Sequence, residues 1–376
     1  MLGYALFEVP SNIMLVRFGA RRWIARIMIT WGLLSAGMMF VHTPLQFYIM
    51  RFLLGVAEAD FFPGVITYFS HWFPAACRCR AVSRFYVAGP LASVVMGGLS
   101  GALLGLDGIA GMRGLQWLFL IQGLPAVLVA FALLRFLPNT PRTAAWLTDA
   151  EKDWIEGRLA DERALIDEPR HRHLLAAFAN PMVLLLGVIG FLIIGANTTL
   201  TLSAPAVLIA ATGLATRQVG ILVSVGGLLG AGMILATGMR ADRTGDRFGL
   251  ALLLTVVLAV AYLAMGLSPA PVMVAIAYLA FGATCFTILM LTASAWAEII
   301  HPSQLAVGAA SINSFSQIGA FSMPYAWGVA KDATGNFHTG LIGLAIVATI
   351  GALLIAYVRH LVDARLASIT PTIAAA

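Results

Sequence analysis

Long apolar runs occupy most of this sequence and constrain the fold more than any other feature. An α-helix needs about 20 apolar residues to cross the hydrocarbon core of a bilayer. Eleven segments approach or exceed that length, at residues 1–16, 23–41, 45–70, 84–106, 115–137, 181–212, 218–238, 248–268, 271–297, 304–330 and 339–359. The sequence therefore predicts an all-α membrane protein with eleven spans, embedded in the lipid bilayer.

The composition supports this interpretation and limits the possible partners. Hydrophobic residues make up 60% of the chain and charged residues only 11%, whereas soluble domains contain about 25% charged residues. The net charge is +6, but no dense basic stripe occurs, so we expect no nucleic-acid partner. Cys77, Cys79 and Cys285 provide neither a disulfide framework nor the spacing of a four-ligand metal site. We expect no metal and no other cofactor.

Basic residues alternate between the two sides of the predicted spans. Cytoplasmic loops carry the excess of Lys and Arg in membrane proteins. One set of connections, with the C-terminal tail, holds 19 basic residues, whereas the opposite set holds only Arg113, Arg217 and Lys331. The asymmetry predicts a cytoplasmic C-terminus and an external Met1.

A polar segment at residues 138–180 separates two hydrophobic halves, at 1–137 and 181–376. Thr148 followed by Glu151 forms a capping-box pattern, which predicts the start of a charged helix over roughly 150–166. The basic residues of this segment place it in the cytoplasm. We interpret 138–180 as a linker between the halves and not as an enzymatic domain.

A charged, glycine-containing turn occurs once in each half. The second copy consists of Gly238, Asp242, Arg243, Gly245 and Arg247, and the first, weaker copy consists of Arg17, Gly19 and Arg21. Glycine permits a tight turn, and the acidic and basic side chains can pair across helix ends, so we assign both copies to gating. The alternative is that the arginines only set the topology.

The two copies differ in what precedes them. Two predicted spans precede the second copy, but only one precedes the first. Paired six-helix halves are a known construction of transporters. We therefore expect a helix to be missing upstream of Met1, so that the first half holds five of its six helices.

Arg51 and Glu58 are ionisable residues within one predicted span, and such residues mark functional sites. Seven residues return them to nearly the same helix face, about 10 Å apart. We predict that Arg51 binds a substrate carboxylate and that Glu58 is the proton-coupling residue. The alternatives are a permanent Arg51–Glu58 ion pair or an Arg51 that snorkels outward. Asp60 falls on the opposite face, and we assign it no role.

Two pairs of polar residues have helical i, i+4 spacing, Asn197 with Thr201 and Asn313 with Gln317. We predict that they bind substrate through hydrogen bonds, although hydrogen bonds between helices explain them equally well. Glu8 and Asn12 lie near the cytoplasmic end of the first predicted span. We predict that they act as a gate with the turn at Arg17.

The chain resembles the major facilitator superfamily, and within it the anion:cation symporter family of bacterial tartrate, phthalate and hydroxyphenylacetate permeases. The resemblance rests on GYALFEVPSN (3–12), RRWIARIMITW (21–31), RFLLGVAEA (51–59), QWLFLIQGLPA (116–126), WLT (146–148), ASINS (310–314) and KDATG (331–335). This sequence departs from the family pattern at Asp60, where Gly is usual, at Gln317, where Asn is usual, and over 197–205. The last departure bears on substrate choice.

The resemblance implies a fold of two pseudo-symmetric six-helix halves and proton-coupled symport of a small organic anion by alternating access. It implies that the partners are this anion, a proton and the lipid bilayer. We expect a monomeric, multi-pass protein of the cell inner membrane. Twelve helices are usual in this family, and the expected missing helix contributes to the substrate cavity.

Other classes of protein fit the sequence less well. It contains no Gly-x-x-x-x-Gly-Lys-Ser/Thr phosphate loop, which disfavours an ATP-driven pump. It contains no His-Glu-x-x-His motif, and no nucleophile and base form a recognisable set, so a membrane-embedded enzyme is disfavoured. The remaining alternatives are a truncated remnant that does not transport and a gene whose true start lies upstream.

Overall fold

The computed structural model describes residues 2–164, 180–300 and 302–374. Within those ranges the regular secondary structure is entirely helical, which confirms the predicted all-α class. The α-helices are α1 (Leu2–Phe18), α2 (Ala20–Gly37), α3 (Pro44–Glu58), α4 (Phe61–Ser70), α5 (Ala75–Tyr86), α6 (Ala88–Leu104), α7 (Gly114–Phe136), α8 (Asp149–Ala164), α9 (Pro181–Thr212), α10 (Thr216–Thr244), α11 (Arg247–Leu267), α12 (Pro271–Ile299), α13 (Pro302–Thr334) and α14 (His338–Ala374).

Fewer helices than expected are long and apolar enough to cross a bilayer. Among the described residues there are seven, at Ala20–Phe40, Gly114–Phe136, Pro181–Thr212, Thr216–Thr244, Arg247–Leu267, Pro271–Trp296 and His338–Ala364. The count of eleven spans is therefore not confirmed. One reason is a break at Asp60, which divides the expected span 45–70 into α3, of 15 residues, and α4, of 10 residues.

The described residues form two compact units. Unit 1 comprises the described residues of Met1–Pro74, Ala92–Val183 and Ile300–Ile318, and unit 2 comprises those of Ala75–Leu91, Leu184–Ile299 and Gly319–Ala376. Each unit combines segments from both sequence halves. The division at 1–137, 138–180 and 181–376 stays a prediction about the sequence halves.

In unit 1, α2 packs along α7, and α1 and α2 pack against α3. Gly32 and Gly123 allow the close approach of α2 and α7. A Cβ atom on Gly32 would lie 2.7 Å from the carbonyl oxygen of Gly123, and a Cβ atom on Gly123 would lie 2.5 Å from that of Gly32. Small residues serve this purpose widely between membrane helices, where packing drives association.

In unit 2, α11 packs against α12 and α14, and α10 packs against α5 and α12. Large side chains fill the space between them, and Leu258, Tyr262, Met265 and Ile288 are almost completely buried. Because Leu258, Tyr262 and Met265 recur at helical spacing on α11, one face of that helix is buried along much of its length.

The helix predicted in the polar segment is present as α8, and its capping box is confirmed. The Thr148 backbone N–H donates to Glu151 Oε2 at 2.8 Å, and the Glu151 N–H donates to Thr148 Oγ1 at 3.3 Å. Hydrogen bonds from Thr148 lower the pKa of the Glu151 carboxyl. Residues 165 and 166, the expected end of this helix, lie outside the described residues.

Candidate functional site

A non-helical joint between α3 and α4 carries the first group of polar contacts. Asp60 has φ 77, in the left-handed region, which Asp tolerates better than most residues other than Gly. Its side chain is fully buried, and the side-chain amide of Asn12 on α1 donates to its Oδ1. Ser11 Oγ donates to the carbonyl oxygen of Ala59 at 3.1 Å. We call Ser11, Asn12, Ala59 and Asp60 the Asp60 joint.

An arginine on α2 lies beside this joint. The Arg26 guanidinium lies over the ring of Trp23 at 4.0 Å, and its Nη2 donates to Ser11 Oγ at 3.4 Å. Trp23 Nε1 donates to the same hydroxyl at 3.0 Å. The positive charge of Arg26 acts on the Asp60 carboxyl. The joint thus combines a buried acid with a half-buried base that is held by an aromatic ring.

A second buried acid, Glu8, lies on α1 one helical turn before Asn12. Glu8 is fully buried, and the Asn313 side-chain amide of α13 donates to its Oε1. Ser314 Oγ lies 3.0 Å from Glu8 Oε2, and Asn313 Nδ2 lies 3.2 Å from the Tyr4 hydroxyl. We call Tyr4, Glu8, Asn313 and Ser314 the Glu8 cluster. Both oxygens of the Glu8 carboxyl thus accept a hydrogen bond from a neutral side chain of this cluster.

The structure brings Glu8 together with Asn313, and Asn12 together with Asp60. These pairs combine residues that the sequence had assigned to different roles, since Asn313 was predicted to bind substrate and Asp60 had no role. The expectation that Glu8 and Asn12 act with the turn at Arg17 stays a prediction.

Arg51 and Glu58 lie at opposite ends of one stretch of α3. Arg51 is exposed, with its guanidinium 5.2 Å from the centre of the Phe47 ring, and Glu58 is half-buried at the end of the helix. Within the described ranges, no ion pair joins the two side chains. The permanent ion pair considered as an alternative therefore has no support in this conformation.

In each of the two predicted polar pairs, Asn197 with Thr201 and Asn313 with Gln317, the asparagine is more deeply buried than its partner. Asn197 is buried in unit 2, where it accepts from the Tyr262 hydroxyl at 3.0 Å and donates to the Cys285 carbonyl at 3.2 Å. Thr201, one turn further, is exposed, and Gln317 on α13 is half-buried. Asn197 thus joins three helices, which is the packing role considered as its alternative.

The second copy of the glycine-containing turn forms a compact polar group in unit 2. Asp242 accepts from the backbone N–H groups of Cys79 and Arg80 at 3.0 and 2.9 Å, and from Arg80 Nε at 3.1 Å. Arg247 Nη2 lies 3.5 Å from Asp242 Oδ1 and also donates to the Ala75 carbonyl. We call Arg80, Asp242 and Arg247 the Asp242 cluster. Its hydrogen bonds and ion pairs hold α5 against the end of α10 and the start of α11.

The two glycines of this copy have distinct tasks. Gly245 ends α10 with φ 70, a left-handed conformation that favours glycine. Gly238 lies against α5, where a Cβ atom would be 2.6 Å from the Cβ of Ser83. Arg243 is exposed.

The first copy has fewer acidic partners, as its weaker sequence match indicates. Gly19 has φ 83 at the start of α2. The Arg21 backbone N–H donates to Asn139 Oδ1 at 3.0 Å, and its guanidinium donates to the Leu134 carbonyl. Arg17 is exposed, with its guanidinium 5.7 Å from the Phe18 ring centre. This turn therefore binds α2 to the end of α7.

Sequence reasoning missed Tyr4, Ser11 and Arg26, and it gave Asp60 no role. A signal for Tyr4 was present, because Tyr4, Glu8 and Asn12 follow one another at i, i+4 and line one face of α1. The sequence analysis placed Asp60 on the face opposite Glu58 because it assumed one continuous helix. The helix breaks at Asp60, so that placement was wrong.

Comparison with known proteins assigns the family. Residues 1–324 match the model of the Major Facilitator Superfamily. A protein of Acinetobacter baumannii named "Quinolone resistance transporter" is 38% identical over 356 residues, which cover 94% of this chain and 81% of the relative. A protein of Agrobacterium vitis named "Putative tartrate transporter" is 38% identical over 361 residues, covering 94% and 82%.

Solved structures agree with this assignment at the level of the fold. A proton:xylose symporter of the superfamily aligns with a TM-score of 0.75 at 16% identity, over 95% of this chain and 83% of the other. The human organic anion transporter MFSD10 aligns with a TM-score of 0.72 at 15% identity, over 94% and 81%. From the family model and these relatives, the chain belongs to the Major Facilitator Superfamily and is a multi-pass membrane transporter, not an enzyme.

Proposed function

We propose that this transporter couples the uptake of a small organic anion to protons by alternating access. The observation that carries the proposal is on α3. Arg51 offers a guanidinium that has no ion-pair partner in the described part of the chain, and Glu58 offers a half-buried carboxyl on the same helix. A cation inside a predicted apolar run, here 45–70, is expensive to keep unless it faces a cavity or pairs with another group.

In this proposal Arg51 binds a substrate carboxylate. A guanidinium presents two parallel N–H donors, which match the two oxygens of a carboxylate and fix its orientation. Gln317, on α13 of the same compact unit, supplies an amide group suited to the hydroxyl groups of a hydroxy acid. The Agrobacterium vitis relative is named for tartrate transport, which supports a hydroxylated dicarboxylate as the substrate.

Glu58 carries the coupled proton in this proposal. The carboxyl binds a proton on the outer side, loses its charge, and permits the loaded transporter to change its accessible side. It releases the proton to the cytoplasm with the substrate. The Asp242 cluster and the turn at Arg17 act as gates, because ion pairs and hydrogen bonds at helix ends can open and close as the helices move.

The proposed setting is the cell inner membrane, with a monomer whose C-terminus and 138–180 segment face the cytoplasm. The sequence halves 1–137 and 181–376 are the elements that move. The excess of basic residues in the proposed cytoplasmic connections supports this orientation.

Transport in proteoliposomes tests the proposal. Purified protein is reconstituted, and uptake of labelled tartrate and other sugar acids is measured with an acidic exterior, with equal pH, and with a protonophore. We expect accumulation only with the acidic exterior. Accumulation that survives the protonophore would contradict proton coupling.

Two variants separate the roles of the residues. Glu58→Gln is expected to abolish accumulation while retaining exchange of labelled for unlabelled substrate. Arg51→Gln is expected to lose both, whereas Arg217→Gln, a matched change of an exposed arginine, retains both. If Glu58→Gln still concentrates substrate against a gradient, Glu58 is not the coupling residue.

The name of the Acinetobacter baumannii relative, "Quinolone resistance transporter", favours a second candidate, the export of a quinolone-type compound. Quinolones also carry a carboxylate, so Arg51 serves both candidates. The same vesicles distinguish them, since an exporter driven by proton antiport accumulates its substrate with an acidic interior rather than an acidic exterior.

A further inference from the structure

Three polar atoms around the Asp60 joint lack a hydrogen-bond partner in the described part of the chain. They are Asn12 Oδ1, Asp60 Oδ2 and Arg26 Nε, and all three are buried. Buried polar atoms are paired in the great majority of cases, so three unpaired atoms in one place call for an explanation. One of these atoms is a donor, one is an acceptor, and the third can be either.

The Asn12–Asp60 pair has one of the two hydrogen bonds that can join a carboxylic acid to a carboxamide. Asn12 Nδ2 donates to Asp60 Oδ1, which leaves Asn12 Oδ1 and Asp60 Oδ2 on the same two groups. An ionised carboxylate only accepts hydrogen bonds, and so does an amide oxygen. A proton on Oδ2 turns that oxygen into a donor. The carboxylic acid and the carboxamide then form two antiparallel hydrogen bonds, and neither oxygen remains unpaired.

We propose that Asp60 is a proton-binding site that exchanges partners with its charge. As an acid, Asp60 pairs with Asn12 on α1 through two hydrogen bonds. As a carboxylate, it accepts from the unpaired Nε–H of Arg26 on α2. The only covalent bond that forms or breaks is the O–H bond at Oδ2, and the proton comes from hydrated protons in the surrounding water and returns to them.

The groups that face Asp60 favour this exchange. From α2, Arg26 supplies the positive charge that attracts the ionised form. From α1, Glu8 and Tyr4 are close enough for their charges to interact with that of Asp60, and a negative Glu8 favours a neutral Asp60. On α4 the carboxyl faces Gly64, whose Cβ position is 3.5 Å from Asp60 Oδ2. The charge of Arg26 thus favours the ionised form of Asp60, and the charge of Glu8 favours its neutral form.

The site is separate from the proposed coupling residue. Glu58 ends α3, whereas Asp60 lies in the joint after it with its side chain turned to α1. Participation of Asp60 in coupled transport rests on the proposed function, but proton binding by Asp60 does not. A test without substrate therefore separates the two.

Infrared difference spectroscopy of the purified protein tests proton binding directly. A protonated carboxyl absorbs in a carbonyl-stretch band that is distinct from the two carboxylate bands. At neutral pH, the wild-type spectrum minus that of Asp60→Asn is expected to show one acid band. Loss of carboxylate bands instead would overturn the proposal. Asn also adopts the left-handed conformation, and size-exclusion chromatography checks that the variant is folded.

A second pair of variants tests the exchange of partners. Arg26→Gln removes the cation, so the acid band is expected to persist to a higher pH than in wild type. An unchanged or lower midpoint overturns the role of Arg26. Asn12→Ala leaves Asp60 in place but removes its amide partner, so the acid band is expected to shift in frequency. A band that does not move shows that Asn12 is not the partner.

Glu58→Gln serves as the matched control for the spectra. It removes a neighbouring carboxyl that the proposal does not involve, so the Asp60 band and its pH midpoint are expected to stay. If Glu58→Gln removes the band, the band belongs to Glu58 and the assignment to Asp60 is wrong. Failure of transport in the vesicle experiment leaves this spectroscopic result unaffected.

Discussion

The buried carboxyl of Glu8 on α1 accepts a hydrogen bond from the side-chain amide of Asn313 on α13, which lies 305 positions later in the chain. The two residues join the start of the sequence to its final third inside one compact unit. A buried acid that loses its donors leaves polar atoms unsatisfied, so this contact stabilises unit 1.

Replacement of Asn313 by Ala is expected to destabilise the protein by about 1–3 kcal/mol, because one oxygen of Glu8 then lacks its donor. Thermal unfolding in detergent measures the change. Gln317→Ala, one turn further on α13, has a half-buried side chain and is expected to change stability by less than about 0.5 kcal/mol. Equal effects of the two variants would show that the Glu8–Asn313 contact contributes nothing specific.

The Asp242 cluster leads to a second prediction. Asp242→Asn removes the charge that binds Arg80 and the almost fully buried Arg247, and we expect a loss of about 1.5–3 kcal/mol. Arg243→Gln in the same turn is exposed and is expected to leave the unfolding temperature unchanged. If both variants unfold at the wild-type temperature, the cluster does not stabilise the conformation described.

The contact of α2 with α7 leads to a third prediction. Gly123→Val places a branched side chain where even a Cβ atom meets the carbonyl oxygen of Gly32, so we expect a loss of about 1–3 kcal/mol from overpacking. Gly232→Val on α10 meets no atom within 4 Å and is the matched control. A folded Gly123→Val with wild-type stability would mean that α2 and α7 can separate without penalty.

The capping box of α8 predicts a dependence on pH. The pKa of Glu151 is lowered in the folded protein by hydrogen bonds from Thr148. The carboxylate form therefore stabilises the start of α8 above the ordinary pKa of Glu, and this contribution is lost as the pH falls through the lowered value. Amide hydrogen exchange of the first turn of α8 should accelerate over that range, after correction for intrinsic rates.

The control for this prediction is Glu151→Gln. Glutamine can complete a capping box but has no charge to lose. The corrected exchange rate in the first turn of the variant should be independent of pH over the same range. A variant that follows the wild-type profile would assign the pH dependence to another group.

Apolar run length was enough to predict the helical class, because a continuous apolar run of about 20 residues matches a helix that crosses the bilayer with its backbone groups paired inside the segment. The capping box at Thr148 and Glu151 was also predictable, because the motif is local in sequence. The break at Asp60 was not. A left-handed residue inside an apolar run leaves no periodic signal, and here the buried partner Asn12 lies 48 positions away.

The candidate site was predicted as a set of residues but not as a set of contacts. Helical spacing places Glu8 and Asn12 on one face, yet it does not say which helix that face meets. Asn313 and Asp60 were therefore assigned apart from them. Arg26 entered the sequence analysis only within the count of 19 basic residues, and such a count does not distinguish an arginine at the membrane surface from one packed on Trp23.

The Asp60 joint also restricts which parts of unit 1 can move independently. Backbone that is not helical cannot face hydrocarbon without a partner for its carbonyl groups. The Ala59 carbonyl at the joint has its partner in Ser11 of α1. Separation of α1 from this point would leave the carbonyl bare in the membrane. We therefore expect α1, α3 and α4 to travel as one rigid body throughout a transport cycle.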